Sequence, residues 1–156
     1  GTDKARACER LGAHAALNYH DVDFADEIKR LTAHRGVDVI LDIVGAPYFE
    51  RNIVSLKRGG RLVLIALLQG GKVPQADLLP IMVKRLTVTG STLRPRSAAE
   101  KGAIARGLQE RVWPVLDAGR CAPVIETVFP LAEVAKAHAL VEGRSHIGKV
   151  MLKVAD

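Results

Sequence analysis

The stretch Gly36 to Ala66 most constrains the fold, because it carries the pattern of a strand, a helix and a second strand. The sequence contains two apolar runs, Val37 to Leu41 and Leu62 to Leu67. They are too continuous for strands that have one solvent-exposed face. We therefore expect strands of a parallel sheet that are buried on both faces. Gly59-Gly60 supplies the turn into the second strand, and the residues between the runs at helical spacing are Tyr48, Asn52, Ile53 and Leu56.

Strands and helices are predicted to alternate along the rest of the chain, which predicts an α/β fold with a doubly wound, mostly parallel sheet. The predicted helices are 4–11, Asp21 to Ala33, Asp77 to Lys84, Ser97 to about Trp113, and Leu131 to Val141. The predicted strands are Ala15 to Tyr19, Leu86 to Ser91, Val124 to Phe129, and Lys149 to Val154.

Two helix starts carry capping residues in the sequence. Asp23 precedes the apolar stripe of the second helix and is expected to be its N-cap. Ser97 is followed three residues later by Glu100, which predicts a capping box at the start of a long amphipathic helix.

Composition limits the classes of protein that fit. The chain has 156 residues, 48% of them hydrophobic, enough for about one core. It contains no apolar run of membrane-spanning length and begins with charged residues, so we expect a cytoplasmic protein without a membrane segment. Cys8, Cys121 and five scattered histidines lack metal-ligand spacing, so no metal site is expected. The net charge of +6 fits an anionic ligand.

A glycine-rich phosphate-binding turn is absent from the sequence. Open α/β sheets bind nucleotides over such a turn after the first strand, yet this chain starts on a predicted helix and has no G-x-G-x-x-G. We expect an α/β domain that lacks its beginning.

Seven segments, in this order and spacing, resemble the medium-chain dehydrogenase/reductase superfamily, and within it the zeta-crystallin-like NADPH quinone oxidoreductases. They are GTDKARACERLGA, ALNY, GVDVILDIVG, GGRLVLIALLQGG, LTVTGSTLRPRS, VFPLAEVAKAH and HIGKVMLKV. The resemblance implies that residues 1–120 are the later part of a Rossmann NADP-binding domain. It also implies that residues 121–156 form a strand-helix-strand segment that packs toward a catalytic domain, and that this domain and the first cofactor strands precede Gly1.

The resemblance assigns two residues to the adenosine side of the cofactor. Lys4, beside Gly1 and Thr2, matches the position of groups that hold the 2′-phosphate, which implies NADPH rather than NADH; the alternative is a solvated surface lysine. Tyr19 matches a residue that packs on the adenine-side phosphate or ribose, and its alternative is a half-buried strand tyrosine.

The remaining assignments by resemblance follow the ends of predicted strands. Val44 and Gly45 end the first central strand, where a glycine permits close approach of a ligand or simply makes a turn. The segment after the second central strand matches the nicotinamide-side loop. The other residues assigned to the cofactor are Ala66, Leu67, Leu68, Leu93, Arg94 and Lys149. Arg94 could instead be a surface charge, and Lys149 could protect a sheet edge.

The implied reaction is hydride transfer from NADPH to a quinone or similar conjugated carbonyl, without zinc and in a homodimer joined at the Leu86 to Ser91 strand. No catalytic residue is assigned. One alternative is an S-adenosylmethionine-dependent methyltransferase, because LKRGGRLVLIA resembles a strand of those enzymes. Another is a noncatalytic nucleic-acid-binding domain, which the basic charge favours and the total of six Phe, Trp and Tyr disfavours.

Overall fold

The computed structural model describes residues 1–155, which form two compact units. The first unit comprises Ala16–Arg96 with Gly1, and the second comprises Thr2–Ala15 and the chain from Ser97 onward. The helices are α1 (Thr2–Arg10), α2 (Phe24–Leu31), α3 (Phe49–Ser55), α4 (Leu79–Lys84), α5 (Ala98–Arg111), α6 (Trp113–Asp117) and α7 (Val134–Glu142). The strands are β1 (Val37–Asp42), β2 (Leu56–Leu64), β3 (Thr87–Gly90), β4 (Ile125–Pro130) and β5 (Lys149–Lys153).

The first unit is built on a three-stranded parallel sheet in the order β1-β2-β3. Leu62 lies beside Ile40 of β1 and Val88 of β3. The α3 helix connects β1 to β2, and α4 connects β2 to β3, so each pair is joined by a helical crossover. The predicted α/β fold with a parallel sheet is confirmed.

The core of the first unit lies between this sheet and α3. Ile53, Leu56 and Leu62 are almost completely buried, and partly buried side chains from β1, α3 and α4 pack against them. Asn52, Ile53 and Ser55 form the buried face of α3. Because β2 is central and its Leu62 has no exposed surface, this strand is the anchor of the unit.

The prediction that β1 is buried on both faces is wrong for this structure. Val39 is 54% exposed and Leu41 is 66% exposed, whereas Ile40 packs against the core. Side chains alternate between the faces of a strand, so the exposed residues lie on the face opposite the core. Only the face of β1 that packs against the core is buried, although the sequence is apolar on both faces of the strand.

The predicted strand Ala15 to Tyr19 is also not formed. A strand requires a neighbour for its backbone hydrogen bonds, and among residues 1–155 the only strand paired with β1 is β2. Tyr19 is instead in a turn, where the amides of Asp21 and Val22 donate to the carbonyl oxygen of Asn18 at 2.9 and 3.3 Å.

The two predicted helix caps are confirmed. The Asp23 carboxylate accepts hydrogen bonds from the amides of Ala25 and Asp26 at 2.8 and 3.3 Å. Ser97 and Glu100 form the full capping box at the start of α5. Both caps satisfy amide groups that lack partners within their helices.

The second unit contains a two-stranded parallel sheet of β4 and β5 with α7 between them in the chain. Val128 lies beside Met151, and the buried Ala137 lies on α7. The predicted strands and helix of this segment are therefore formed. The domain boundary predicted at residue 120 stays a prediction. None of the helices within residues 1–155 is both long enough and apolar enough to cross a membrane.

Lys84 ties the end of α4 to the end of α3. Its Nζ donates to the carbonyl oxygens of Val54 and Leu56, each at 2.9 Å, and to that of Ile53 at 3.4 Å. These carbonyls end a helix and lack helical partners, and a cation there also opposes the helix dipole. Partial burial lowers the pKa of Lys84 below its usual value.

We expect Lys84→Met to reduce the free energy of unfolding by about 1–3 kcal/mol, because it leaves the end of α3 without donors. Urea unfolding followed by circular dichroism would measure the loss. The control is Lys29→Met, whose ammonium makes an exposed ion pair with Asp26 and should matter little. Equal stability of the two variants would contradict the capping role.

Candidate functional site

The candidate site is the carboxyl edge of the first unit's sheet, where three parallel strands end side by side. We use carboxyl edge for the segments 42–46, 64–70 and 90–92, which begin at the last residues of β1, β2 and β3. Ligands of open α/β sheets bind outside the carboxyl ends of the strands.

Asp42 fixes the turn that follows β1. Its side chain is 4% exposed and accepts hydrogen bonds from the amides of Val44 at 2.7 Å and of Gly45 at 3.2 and 3.3 Å. Its carbonyl oxygen accepts from the amides of Ile65 at 2.9 Å and Ala66 at 3.4 Å. A buried carboxylate is tolerated here because backbone donors replace its water. The sequence interpretation missed this role, although an Asp at the end of an apolar strand before a Gly indicates such a turn.

Gly45 allows the loops after β1 and β2 to touch. Its φ is +97°, and a Cβ atom at this position would lie 2.3 Å from the carbonyl oxygen of Gly70. The same oxygen accepts a hydrogen bond from the Ala46 amide at 2.9 Å. The close approach that the sequence predicted at Gly45 is thus to the protein's own backbone.

Further backbone bonds join the two loops. The amide of Leu68 donates to the carbonyl of Ile43 at 3.0 Å, and that of Gln69 donates to Val44 at 2.9 Å. The loops after β1 and β2 are therefore joined by main-chain hydrogen bonds.

An apolar cavity of about 480 Å³ lies between the ends of β2 and β3. Its wall includes Ala66 and Leu67 from the loop after β2, and Ser91 and Thr92 from the segment after β3. The amide of Ser91 donates to the carbonyl oxygen of Leu64 at 3.0 Å, which holds the two strand ends together. The wall can exclude water from a flat ring, and the hydroxyl-bearing residues supply polar groups at its rim.

A second apolar cavity, of about 230 Å³, lies beside Val44 and includes Asn52 in its wall. Asn52 is 3% exposed, and its Nδ2 has no hydrogen-bond partner among the described residues. Leaving a buried donor without a partner costs about 1–3 kcal/mol. This amide can serve a ligand acceptor, and the sequence interpretation assigned it only to the helix pattern.

Arg51 fixes the position of α3, the helix that contributes Asn52 to the wall of this second cavity. Its guanidinium lies over the rings of Phe24 and Tyr48, 5.1 and 4.6 Å from their centroids. It also pairs with Asp23 at 3.3 Å. Cation–π contacts and the ion pair thus fasten α2 to α3 next to the carboxyl edge.

The structure brings five of the ten predicted cofactor residues to the carboxyl edge: Val44, Gly45, Ala66, Leu67 and Leu68. Leu68 and Leu93 are 76% and 56% exposed, and the side chain of Arg94 is also exposed. Tyr19 is 62% exposed, with its ring 4.2 Å from that of His20.

Lys4 and Lys149 belong to the second unit. The Nζ of Lys4 donates to the carbonyl oxygen of Arg144 at 2.7 Å. Lys149 begins β5, and its amide donates to Val124 at 2.8 Å. The cofactor roles of all ten residues stay predictions. Among residues 1–155 no group of three or more His, Cys, Asp and Glu side chains has the geometry of a metal site.

Comparison with known proteins decides the family. Residues 11–152 match the zinc-binding dehydrogenase family. The chain belongs to this family. The resemblance to medium-chain dehydrogenases and reductases is therefore confirmed.

Two curated relatives are similar along almost the whole chain. Human quinone oxidoreductase is 28% identical over 142 residues, which cover 90% of this chain and 41% of the relative. The 2-haloacrylate reductase of a Burkholderia species is 29% identical over 155 residues, which cover 96% of this chain and 45% of that enzyme. The chain thus spans less than half the length of these relatives.

Two solved structures show the same fold. An NAD-dependent alcohol dehydrogenase has a TM-score of 0.71 at 31% identity, covering 99% of this chain and 42% of that protein. The mycobacterial protein Rv1454c, solved in complex with NADPH, has a TM-score of 0.71 at 26% identity, covering 99% and 48%. The proteins similar to this chain thus include one that is NAD-dependent and one that was solved with NADPH.

The Gly45 geometry gives a test of the carboxyl edge. We expect Gly45→Ala to lower the free energy of unfolding by about 3 kcal/mol or more, because it adds a clash with the Gly70 carbonyl to an unfavourable φ. Thermal and urea unfolding would measure the change.

The matched control is Gly70→Ala. Gly70 has φ +98°, almost the value at Gly45, but a Cβ there meets no atom within 4 Å. It should cost about 1 kcal/mol, from the backbone conformation alone. If both variants lose the same stability, the contact between the loops does not determine the need for glycine.

Proposed function

We propose that the chain forms the cofactor-binding portion of an NADPH-dependent quinone oxidoreductase, which transfers hydride to a quinone or similar conjugated carbonyl. The observation that carries the proposal is the carboxyl edge, with its apolar cavity, in a chain of an oxidoreductase family. The quinone oxidoreductase among the relatives supports the substrate class.

The residues present fit the nicotinamide side of such a cofactor. When bound, NADPH supplies the hydride from C4 of its ring. Ala66 and Leu67 form a wall that excludes water from the ring, and Ser91 and Thr92 offer polar groups beside it. Asp42 holds the turn at Val44 at a fixed distance from this wall through backbone hydrogen bonds. These residues are proposed to bind and orient the cofactor, and none of them is proposed to exchange a proton.

The preference for NADPH rests on Lys4, which is proposed to neutralise the 2′-phosphate. A helix N-terminus with an adjacent cation suits an added phosphate, and Lys4 lies in the first turn of α1. Its present bond to the Arg144 carbonyl is then exchanged for one to the phosphate. The NADPH complex of a similar protein supports this preference.

The enzyme is proposed to be zinc-independent and cytoplasmic, and to form a homodimer. The β3 strand is an edge strand of the first unit's sheet, and it supplies the contact with the second copy. An exposed parallel edge offers unpaired backbone groups for such pairing.

The methyltransferase alternative is disfavoured by topology. Those enzymes finish with an antiparallel hairpin, whereas every strand pair within residues 1–155 is parallel. The nucleic-acid alternative is disfavoured by the exposed surface, because Trp113 and the few other aromatic side chains offer no row of rings for stacking.

A fusion protein tests the function. The chain is joined behind the N-terminal part of human quinone oxidoreductase, in place of the segment it matches. We expect NADPH-dependent reduction of a quinone by the fusion and none by the chain alone, because the chain supplies only one wall of the substrate site. Turnover would be followed by the loss of NADPH absorbance. Stabilisation of the chain by S-adenosylmethionine and not by NADPH would overturn the proposal.

Within the same fusion, Ala66→Asp should raise the Kd for NADPH about tenfold or more, because it places a carboxylate in the apolar wall. Ala105→Asp, on α5, makes the same charge change at a residue outside the segments of the carboxyl edge and should leave the Kd within about twofold. Equal effects of the two variants would show that the wall at Ala66 does not contact the cofactor.

A further inference from the structure

A third cavity of the first unit lies at the opposite edge of the sheet, where β1 and β2 begin. Its volume is about 250 Å³, and it is bounded by the end of α2, the connection from α3 to β2 and the end of α4. We call it the amino-edge cavity. Six basic residues and no acidic residue line it: Lys29, His34, Arg35, Lys57, Arg58 and Lys84.

Structural roles account for the three lysines among these residues. Lys29 pairs with Asp26 at 2.7 Å, and Lys57 pairs with Asp38. Lys84 donates to the carbonyl oxygens that end α3. A helix C-terminus carries only about half a negative charge, so the ends of α2 and α3 balance at most one cation between them.

Arg35 and Arg58 carry positive charges that none of these structural roles accounts for. Neither has a carboxylate within ion-pair distance among residues 1–155, and Arg35 makes only a bond from its Nε to the Thr32 carbonyl oxygen at 3.2 Å. Two guanidinium groups that line one cavity repel each other unless an anion lies between them. The planar donors of arginine match the oxygens of phosphate, and each can bind two of them.

The backbone around the cavity is held in an unusual conformation. Ala33, His34 and Gly36 all have positive φ, at 48°, 62° and 77°. A Cβ at Gly36 would lie 2.6 Å from the carbonyl oxygen of Ser55, so this turn is pressed against the end of α3. The turn places Arg35 in the wall of the cavity that Arg58 also lines.

We propose that the amino-edge cavity binds a phosphate dianion, either inorganic phosphate or the phosphate group of a small monoester, through Arg35 and Arg58. The cavity volume corresponds to about eight water molecules at roughly 30 Å³ each, enough for a phosphate and a few waters. The two uncompensated positive charges match the charge of the dianion. This site is at the other edge of the sheet from the proposed cofactor site and does not depend on it.

The test is a titration of the chain with inorganic phosphate, and in parallel with methyl phosphate, by calorimetry at constant ionic strength. We expect one saturable site, with an affinity reduced about tenfold or more in Arg35→Gln/Arg58→Gln. Tighter binding of methyl phosphate would identify a monoester as the ligand, and tighter binding of inorganic phosphate would identify the free ion.

The matched control is Arg10→Gln/Arg120→Gln, which removes the same charge from exposed positions of the second unit. It should change the affinity by less than about twofold, because neither of these arginines lines the amino-edge cavity. The proposal would be overturned if phosphate affinity fell equally in both double variants, or if binding did not saturate. Either result would show that phosphate binding depends only on the net charge of the chain.

A second measurement needs no variant. Backbone amide shifts of the isotope-labelled chain, recorded during the phosphate titration, should change most at 34–36 and 55–58. Changes spread over the lysines and arginines of both units would contradict a site at the amino-edge cavity. Neither result depends on whether NADPH binds at the carboxyl edge.

Discussion

The hydrogen bonds of Asp42 are the interaction on which the carboxyl edge depends. Its side chain holds the turn after β1, and its main-chain carbonyl holds the start of the loop after β2. Because one residue fixes both segments, the apolar wall at Ala66 and the turn at Val44 keep a constant separation. Gly45 completes the arrangement by letting the two loops meet at backbone distance. A rigid frame of this kind orients a ligand without a catalytic side chain.

The two edges of one sheet carry different chemistry. The carboxyl edge carries an apolar cavity that suits a flat ring that must be kept from water, and the neighbouring cavity contains the Asn52 amide, which has no hydrogen-bond partner among the described residues. The amino-edge cavity is cationic, and its two arginines, Arg35 and Arg58, have no carboxylate partner among the described residues. Lys84 shows the structural use of the same charge, since it closes the end of α3 with three hydrogen bonds.

The sequence predicted the features that depend on neighbouring residues in the chain. The caps at Asp23 and Ser97 and the order of helices and parallel strands followed from local patterns. The predictions failed where a feature needs a partner from elsewhere in the structure. The segment 15–19 has the composition of a strand but no strand beside it among the described residues, and Leu41 is apolar but lies on the face away from the core. The turn at Asp42 is local and could have been predicted, but its carbonyl bonds to the loop after β2 and the burial of Asn52 depend on nonlocal geometry, which a pattern of residue types does not reveal.

The central claim is that the carboxyl edge of this sheet holds the nicotinamide side of the cofactor. The most direct measurement is a titration of the isotope-labelled chain with NADPH, followed by amide chemical shifts, with inorganic phosphate present to occupy the amino-edge cavity. The account predicts saturable changes that are largest at Val44, Gly45, Ala66 and Leu67. Saturable changes that leave these four amides unmoved and appear elsewhere in the chain would contradict it.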